Sequence, residues 1–321
     1  MKLALLLLKN LPEELAHSLA LGGLKFLHKL KILNLFIKKP KNNEFQLLGM
    51  NFKNKLGTAA GLDKNGDYID SLGALGFGFL EVGTVTPLAQ SGNDKPRLFR
   101  IFDERAIVNR MGFNNKGVDH LVKNLKNINY DGVIGVNIGA NKSSEDQKRI
   151  DDYLLCFKKV YKLADFIVIN ISSPNTPSLR DLHNEDNLSD LLRQIASLSS
   201  DLNNTKPIFL KVSPDESNKT IERIVEEIKK FNFSGLIATN TTIDKKLLEN
   251  SHYHSFKGGL SGAPLLAKSN EAIRCIRSID EKVPLIGVGG VMTKNDFDNK
   301  LNSGANLIQI YTGFIIKGPS I

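Results

Sequence analysis

Tryptophan is absent from the 321 residues, cysteine occurs twice and methionine four times. The two thiols, Cys156 and Cys275, exclude a disulfide framework and a cysteine-rich zinc site. Long apolar runs are missing too. The longest early one, Leu3 to Leu8, is six residues, against about 20 for a membrane-spanning helix. The chain has no Walker P-loop and no strand-linked G-x-G-x-x-G, so nothing supports a P-loop ATPase or a Rossmann dehydrogenase. No hydrolytic triad is evident. None of the six histidines (His17, His28, His120, His183, His252 and His254) falls at a predicted strand end. His252-x-His254 lacks a cysteine to complete a ligand set, and no metal is expected.

What remains is 41% hydrophobic and 24% charged, the profile of a folded globular chain. The length fits two average domains, or one α/β barrel of roughly 250 residues with additions. The net charge is +9, which invites a nucleic-acid reading until the charge is located. It is uneven: residues 1–40 carry seven lysines against Glu13 and Glu14. Pro12-Glu13-Glu14 reads as a helix start, with proline in the first turn and acids at the positive dipole end. Gly22-Gly23 is expected to break that helix. A second segment then puts Phe26, Leu30, Leu33 and Ile37 on one face before Pro40. A secretory signal is disfavoured by the short apolar core. A helical hairpin docked on the main body and an interfacial membrane anchor with snorkelling lysines both fit, and periodicity does not separate them.

From residue 44 the texture changes. Eight short apolar runs recur at 56–60, 79–83, 133–137, 166–170, 208–212, 235–239, 284–288 and 307–311. Helical patterns fill most of the gaps, for instance Lys219 to Phe231 with Ile221, Ile224, Val225 and Ile228 on one face. Eight strands buried on both faces and alternating with helices predict an α/β fold, a (β/α)8 TIM barrel with an N-terminal amphipathic helical extension. A doubly wound open sheet is the alternative. Arg97 to Ile101 and Ala106 to Asn109, in the long second gap, predict a hairpin over the barrel mouth.

Barrel active sites sit at the C-terminal strand ends, and polar residues collect there. Gly61 to Lys64 follow the first run and Thr84 the second. Asn137 ends the third, and Asn170 to Asn175 follow the fourth. Lys211 closes the fifth, Thr239-Asn240-Thr241 follow the sixth, Gly289-Gly290 the seventh and Tyr311-Thr312 the eighth. The glycine-rich segments after the last two strands suit a phosphate held by backbone N–H groups, with Gly258 to Gly262 offering more. Lys64 and Lys211 look buried. Each reads as half of an internal ion pair, with Asp63 or Glu81, or as a cation beside a cofactor or substrate carboxylate. Asn109, Asn114, Asn137, Asn170, Asn175 and Asn240 suit a flat heterocycle edged with N–H and C=O groups. Ser172 and Ser173 lie between candidate ligands on a proline-stiffened loop. A serine base needs help from its surroundings, and either hydroxyl could instead cap a turn.

These residues carry a resemblance to the quinone-dependent, membrane-associated (class 2) dihydroorotate dehydrogenases. The matching segments are Ala59 to Gly66, Glu81 to Thr86, Pro96 to Arg100, Asn109 to Asn115, Asn170 to Pro177 with Leu179-Arg180, and Lys211 to Asp215. Thr239 to Thr242, Gly258 to Pro264, Gly287 to Gly290 and Gln309 to Gly313 complete the set. The resemblance implies an FMN-holding barrel over 41–321 that oxidises dihydroorotate to orotate in pyrimidine biosynthesis. It implies Ser173 as the base taking the C5 proton while a hydride passes from C6 to flavin N5. It implies substrate binding by Lys64, Asn109, Arg110, Met111, Gly112, Phe113, Asn175, Asn240 and Thr241. FMN contacts would come from Ala60, Gly61, Lys64, Thr84, Asn137, Asn170, Lys211 and Thr239, with Gly262, Gly290, Tyr311 and Thr312 at the phosphate end. Residues 1–40 would serve membrane association and quinone access, for ubiquinone or menaquinone. The chain would be a monomer peripheral to the cytoplasmic face of the inner (cell) membrane, with no nucleic-acid partner.

Serine rather than cysteine at the base position, and the 1–40 extension, count against the soluble class 1 enzymes that use fumarate or NAD. Another FMN barrel acting on pyrimidines would share the phosphate loops but not the asparagine set. A non-enzymatic basic surface protein would hold no flavin. Three features depart from the family pattern: Ser178 where glycine is usual, Asp94-Lys95 in place of a proline-containing turn, and a stop at Ile321 where relatives run into a further helix.

Overall fold

The computed structural model describes residues 2–37, 39–175, 185–203 and 206–318. Eight parallel strands close into a barrel: β3 (Leu56–Thr58), β4 (Phe79–Val85), β7 (Val133–Ile138), β8 (Phe166–Asn170), β9 (Ile208–Val212), β10 (Gly235–Ala238), β12 (Leu285–Val288) and β13 (Leu307–Ile310). All eight predicted runs are barrel strands, in sequence order around the ring, and β13 closes on β3. The open-sheet alternative is thereby excluded. Helices α3 (Ile69–Gly73), α4 (Val118–Leu125), α5 (Asp146–Val160), α6 (Glu185–Asp201), α7 (Asn218–Lys230), α8 (Leu266–Ile279), α9 (Lys294–Asn302) and α10 (Thr312–Lys317) follow the strands. In α7 the apolar face that the sequence predicts, Ile221, Ile224, Val225 and Ile228, is fully buried, and Ser217 caps the helix by accepting from Thr220 N–H.

The barrel floor is aromatic. Phe79, Phe166 and Phe209 meet inside it, with ring centroids 6.4 and 5.5 Å apart, and Phe52 packs edge-on to Phe79 at 5.5 Å. Each barrel phenylalanine lies beside a glycine on the next strand: Gly57 opposite Phe79, Gly135 opposite Phe166, Gly235 opposite Phe209. The large ring fills the space that the missing side chain leaves, so a Cβ on Gly135 would sit 2.1 Å from the Phe166 ring. Phe52 arrives on a hairpin of β1 (Phe45–Leu47) and β2 (Met50–Phe52), which the sequence reading did not foresee.

The hairpin predicted over the mouth is present as β5 (Leu98–Ile101) and β6 (Ala106–Asn109). It gains a third strand, β11 (Gly259–Gly262), from a segment expected to be only a glycine-rich loop. Pairing with β6 forces this, because the glycines let two backbones approach. A Cβ on Gly262 would stand 2.3 Å from Arg105 O.

The N-terminal residues form α1 (Lys2–Lys9) and α2 (Glu13–Lys29), followed by a single 3₁₀ turn at Leu33–Leu35. The expected break at Gly22-Gly23 does not occur, and α2 runs through it. Two glycines cost about 1 kcal/mol each inside a helix. Leu21 and Leu24 on either side are buried in the core and offset that cost. The break falls instead at Asn10–Pro12. The expected second face is split as well: Phe26 and Leu30 are exposed, whereas Leu33 is buried. Helix α2 is fastened by Glu14, which accepts from Arg97 Nε and Nη2 at 2.8 and 2.9 Å. No helix among the described residues is long and apolar enough to cross a membrane.

Replacing Phe166 with alanine should destabilise the protein by about 3–5 kcal/mol, because the rings around it cannot collapse into the void. A thermal or urea unfolding midpoint close to wild type would show that the floor is not close-packed.

Candidate active site

The cavity at the C-terminal end of the barrel is built strand by strand from the predicted residues. Ala60, Gly61 and Lys64 reach it from the loop after β3, Thr84 from β4, and Asn109, Met111, Gly112 and Phe113 from β6 and the turn beyond. Asn170, Ser173 and Asn175 enter after β8, Lys211 from β9, and Thr239, Asn240 and Thr241 after β10. Gly262, Gly290, Tyr311 and Thr312 complete the wall. Two predicted residues do not line it. Arg110 turns outward, its Nη2 donating to Pro96 O at 2.9 Å. Asn137 lies one layer below, fully buried. Asn114 lines a neighbouring polar cavity that also reaches Lys64. Ser178, Thr176-Pro177, Leu179-Arg180 and His183 lie outside the described residues.

The floor of the cavity is a polar network around one buried carboxylate. Glu81 Oε1 accepts from Asn137 Nδ2 at 2.7 Å and stands 3.8 Å from Lys211 Nζ. Its other oxygen accepts from Gln309 Nε2. Asn137 Oδ1 accepts in turn from Thr84 Oγ1 and from Asn170 Nδ2, at 2.5 and 3.2 Å. Lys211 and Glu81 therefore form the internal pair that the sequence offered as one of two readings, and the same lysine also faces the cavity. Lys64 differs. It makes no hydrogen bond or ion pair with a described residue, and burial pushes its ammonium down to about 8.

On the loop after β8, Ser173 Oγ accepts from the Asn175 backbone N–H at 3.2 Å. Ser172 instead donates to Asn170 Oδ1 at 3.1 Å and accepts from Asn240 Nδ2 at 3.0 Å. The two serines thus separate: Ser172 is committed to the scaffold and Ser173 faces the cavity. Asn175 Nδ2 donates to Asn109 Oδ1 at 3.3 Å, joining the β6 and β8 amides.

Opposite them, Gly289 and Gly290 have φ +118 and +82, where a side chain is strained. A Cβ on Gly290 would lie 2.3 Å from Leu266 Cα at the start of α8. Ser261 Oγ and Thr312 Oγ1 are 2.8 Å apart beside this loop. Two buried polar atoms on the cavity wall, Gln309 Oε1 and Thr241 Oγ1, find no partner among the described residues. A planar ligand with N–H edges at the amide side and an anion at the glycine side fits this donor and acceptor set, and FMN has both. Gln309, Leu265, Val291 and Met292 also line the cavity but were not predicted. Gln309 carried one weak signal, a lone amide inside an apolar strand.

Such a barrel, with glycine loops after its last two strands and an amide-rich mouth over a lysine-bearing floor, suits an enzyme that binds a planar, phosphate-bearing ligand. Sequence comparison gives the particular kind. The model of the dihydroorotate dehydrogenase family matches residues 43–321, and the chain belongs to that family. The dihydroorotate dehydrogenase (quinone) of Vibrio atlanticus is 46% identical over 97% of this chain and 94% of its own length. That of Marinobacter nauticus is 45% identical over 98% and 94%. The crystal structure of the Eimeria tenella enzyme with ferulenol superposes with a TM-score of 0.86 at 32% identity, covering 95% of this chain and 87% of that one.

Replacing Glu81 with alanine leaves Lys211 buried without its counter-charge and should cost about 3–5 kcal/mol. Replacing Glu81 and Lys211 together with leucine should recover most of that loss. Urea unfolding of the single and double variants measures both, and an additive double variant would show that the pair is not coupled.

Proposed function

We propose that this protein oxidises dihydroorotate to orotate for pyrimidine biosynthesis, with FMN as its cofactor and a quinone, ubiquinone or menaquinone, as electron acceptor. The observation that carries the reading is the convergence of Ser173, Lys64 and the amides of Asn109, Asn175 and Asn240 on one cavity walled by the Gly289-Gly290 loop. The relatives' shared name, at 45–46% identity over nearly the whole chain, supports it. FMN supplies an acceptor for two electrons from the substrate and a donor to the quinone.

Ser173 Oγ takes the substrate proton. The Asn175 N–H that it accepts fixes its rotamer and stabilises charge gathering on the oxygen. Lys64, without a partner among the described residues, meets the substrate carboxylate, which offsets the cost of its burial. Asn109, Asn175, Asn240 and Thr241 bind the ureide edges, while Met111, Gly112 and Phe113 close the substrate side. Ala60, Gly61, Thr84, Asn170, Thr239 and Lys211 hold the cofactor ring, and Gly262, Gly290, Tyr311 and Thr312 its phosphate end. Lys211, held by Glu81, presents a fixed positive charge at the floor.

The quinone reading adds the N-terminal segment, 1–40, as an access and membrane-association unit on the 41–321 barrel. An apolar cavity of about 440 Å³ lies between α1, α2 and the barrel, lined by Leu8, Ala20, Leu27, Phe102, Ile107 and Phe314 among others. Of the twelve large apolar side chains exposed among the described residues, eight lie between Leu6 and Phe36. Such a concentration beside lysines suits a peripheral contact with anionic lipid at the cytoplasmic face.

The purified protein should be yellow and should reduce a quinone with dihydroorotate, but neither fumarate nor NAD. Leu15→Glu, Phe26→Glu and Phe36→Glu together should lower vesicle binding and long-chain quinone reduction while sparing flavin bleaching by dihydroorotate. Fumarate or NAD reduction at the quinone rate would return the protein to class 1. Ser173→Ala should keep its flavin and bind orotate, yet lose about 10²–10⁴-fold in flavin reduction rate. Near-normal stopped-flow bleaching would remove Ser173 from the base role.

A further inference from the structure

Lys300 is fully buried on α9 and does not line the cavity described above. Its stem crosses the bare Cα of Gly287 on β12, where a Cβ would meet Lys300 Cδ at 2.8 Å. Its ammonium donates to Ser269 Oγ at 2.9 Å and Asn270 Oδ1 at 2.7 Å, both on α8. That satisfies two of three N–H groups with neutral acceptors, and Lys300 forms no ion pair with a described residue. Two charged groups act on it from the packed elements. Asp296, on its own helix, has an oxygen occupied by the Met292 and Thr293 N–H groups, and Arg274 on α8 repels it. Burial pushes the ammonium down to about 7, and an anion held at the loop in front of it would favour the charged form. A buried cation in neutral company is costly, and a neutral side chain of similar volume would join the same helices at less cost.

The position supplies a reason. Ser269 passes the contact on, donating to Val288 O at 2.6 Å, and its Oγ would lie 3.2 Å from a Cβ on Gly289. Val288, Gly289 and Gly290 line the cavity. The ammonium therefore stands behind the glycine loop, linked to it through one hydroxyl. We propose that Lys300 is a positioning residue for the cofactor's phosphate: it braces the Val288–Gly290 loop from the rear and lends that loop a positive charge. This rests on the FMN reading above.

The test compares two flavins that differ only in the phosphate. Holoenzymes of wild type and Lys300→Met are diluted, and released flavin is read by its fluorescence, first with FMN and then after exchange into riboflavin. The FMN dissociation constant should rise roughly tenfold in the variant, while that of riboflavin stays within about twofold. Equal losses for both flavins, or no loss for either, would overturn the proposal. If Lys300→Met does not fold, Lys300→Gln, which keeps a donor toward Ser269 and Asn270, carries the same comparison. Failure of both variants to fold assigns the lysine to the scaffold alone and rejects the phosphate role. Wild-type protein that holds neither flavin would sink the FMN reading itself, and this one with it.

Discussion

A carboxylate inside a barrel is the constraint around which the site is arranged. Glu81 is buried on β4, and a bare charge there is untenable without compensation. The compensation is drawn from three other strands: Asn137 of β7, Lys211 of β9 and Gln309 of β13. Thr84 and Asn170 then follow because Asn137 has an oxygen to satisfy. Each member limits its neighbour's rotamer, so the cavity floor is rigid before any ligand arrives. A network of this kind is stabilising only when complete. Here the network atom left over among the described residues, Gln309 Oε1, points to where a ligand completes it.

Below that network the barrel is sealed by the phenylalanine layer, and each ring uses the gap of an adjacent glycine. Chemistry is thereby confined to the upper end, where the loops carry it. The same substitution logic serves opposite ends at the bottom and the top. At Gly57, Gly135 and Gly235 a missing side chain admits a ring, whereas at Gly289 and Gly290 it lets the loop pack closely on Leu265, Leu266 and Ser269 at positive φ.

The fold was legible because the barrel strands are apolar runs buried on both faces and followed closely by polar or glycine residues, a local pattern that needs no knowledge of neighbours. The site was legible for the same reason: residues at strand ends converge once the ring closes. What the sequence concealed is pairwise. Asn137 and Thr84 occupy equivalent strand-end positions, yet Asn137 lies beneath the cavity because Glu81 requires its amide. Arg110 sits inside a motif of cavity residues but turns to Pro96 O. β11 looked like a loop because its partner, β6, is some 150 residues away in the chain. The helix through Gly22-Gly23 was hidden by the opposite error. Propensity is local, and the burial of Leu21 and Leu24 that overrides it is not.

The N-terminal segment joins these levels. Glu14 of α2 grips Arg97, and Arg97 Nη1 also donates to Ser91 O and to Asn93 O at 2.8 Å. Asn93 Nδ2 in turn donates to Arg110 O and Asn175 O. A short chain of hydrogen bonds therefore runs from the helix with the exposed apolar face to the loop that holds Ser173. A helix that only anchored the protein would not need a bidentate ion pair to the hairpin over the mouth. Fastened as it is, α2 sets the wall of the apolar cavity and the lid of the polar one together. On the proposed function, electron entry and electron exit would share this one frame, even though their ligands differ in every chemical respect.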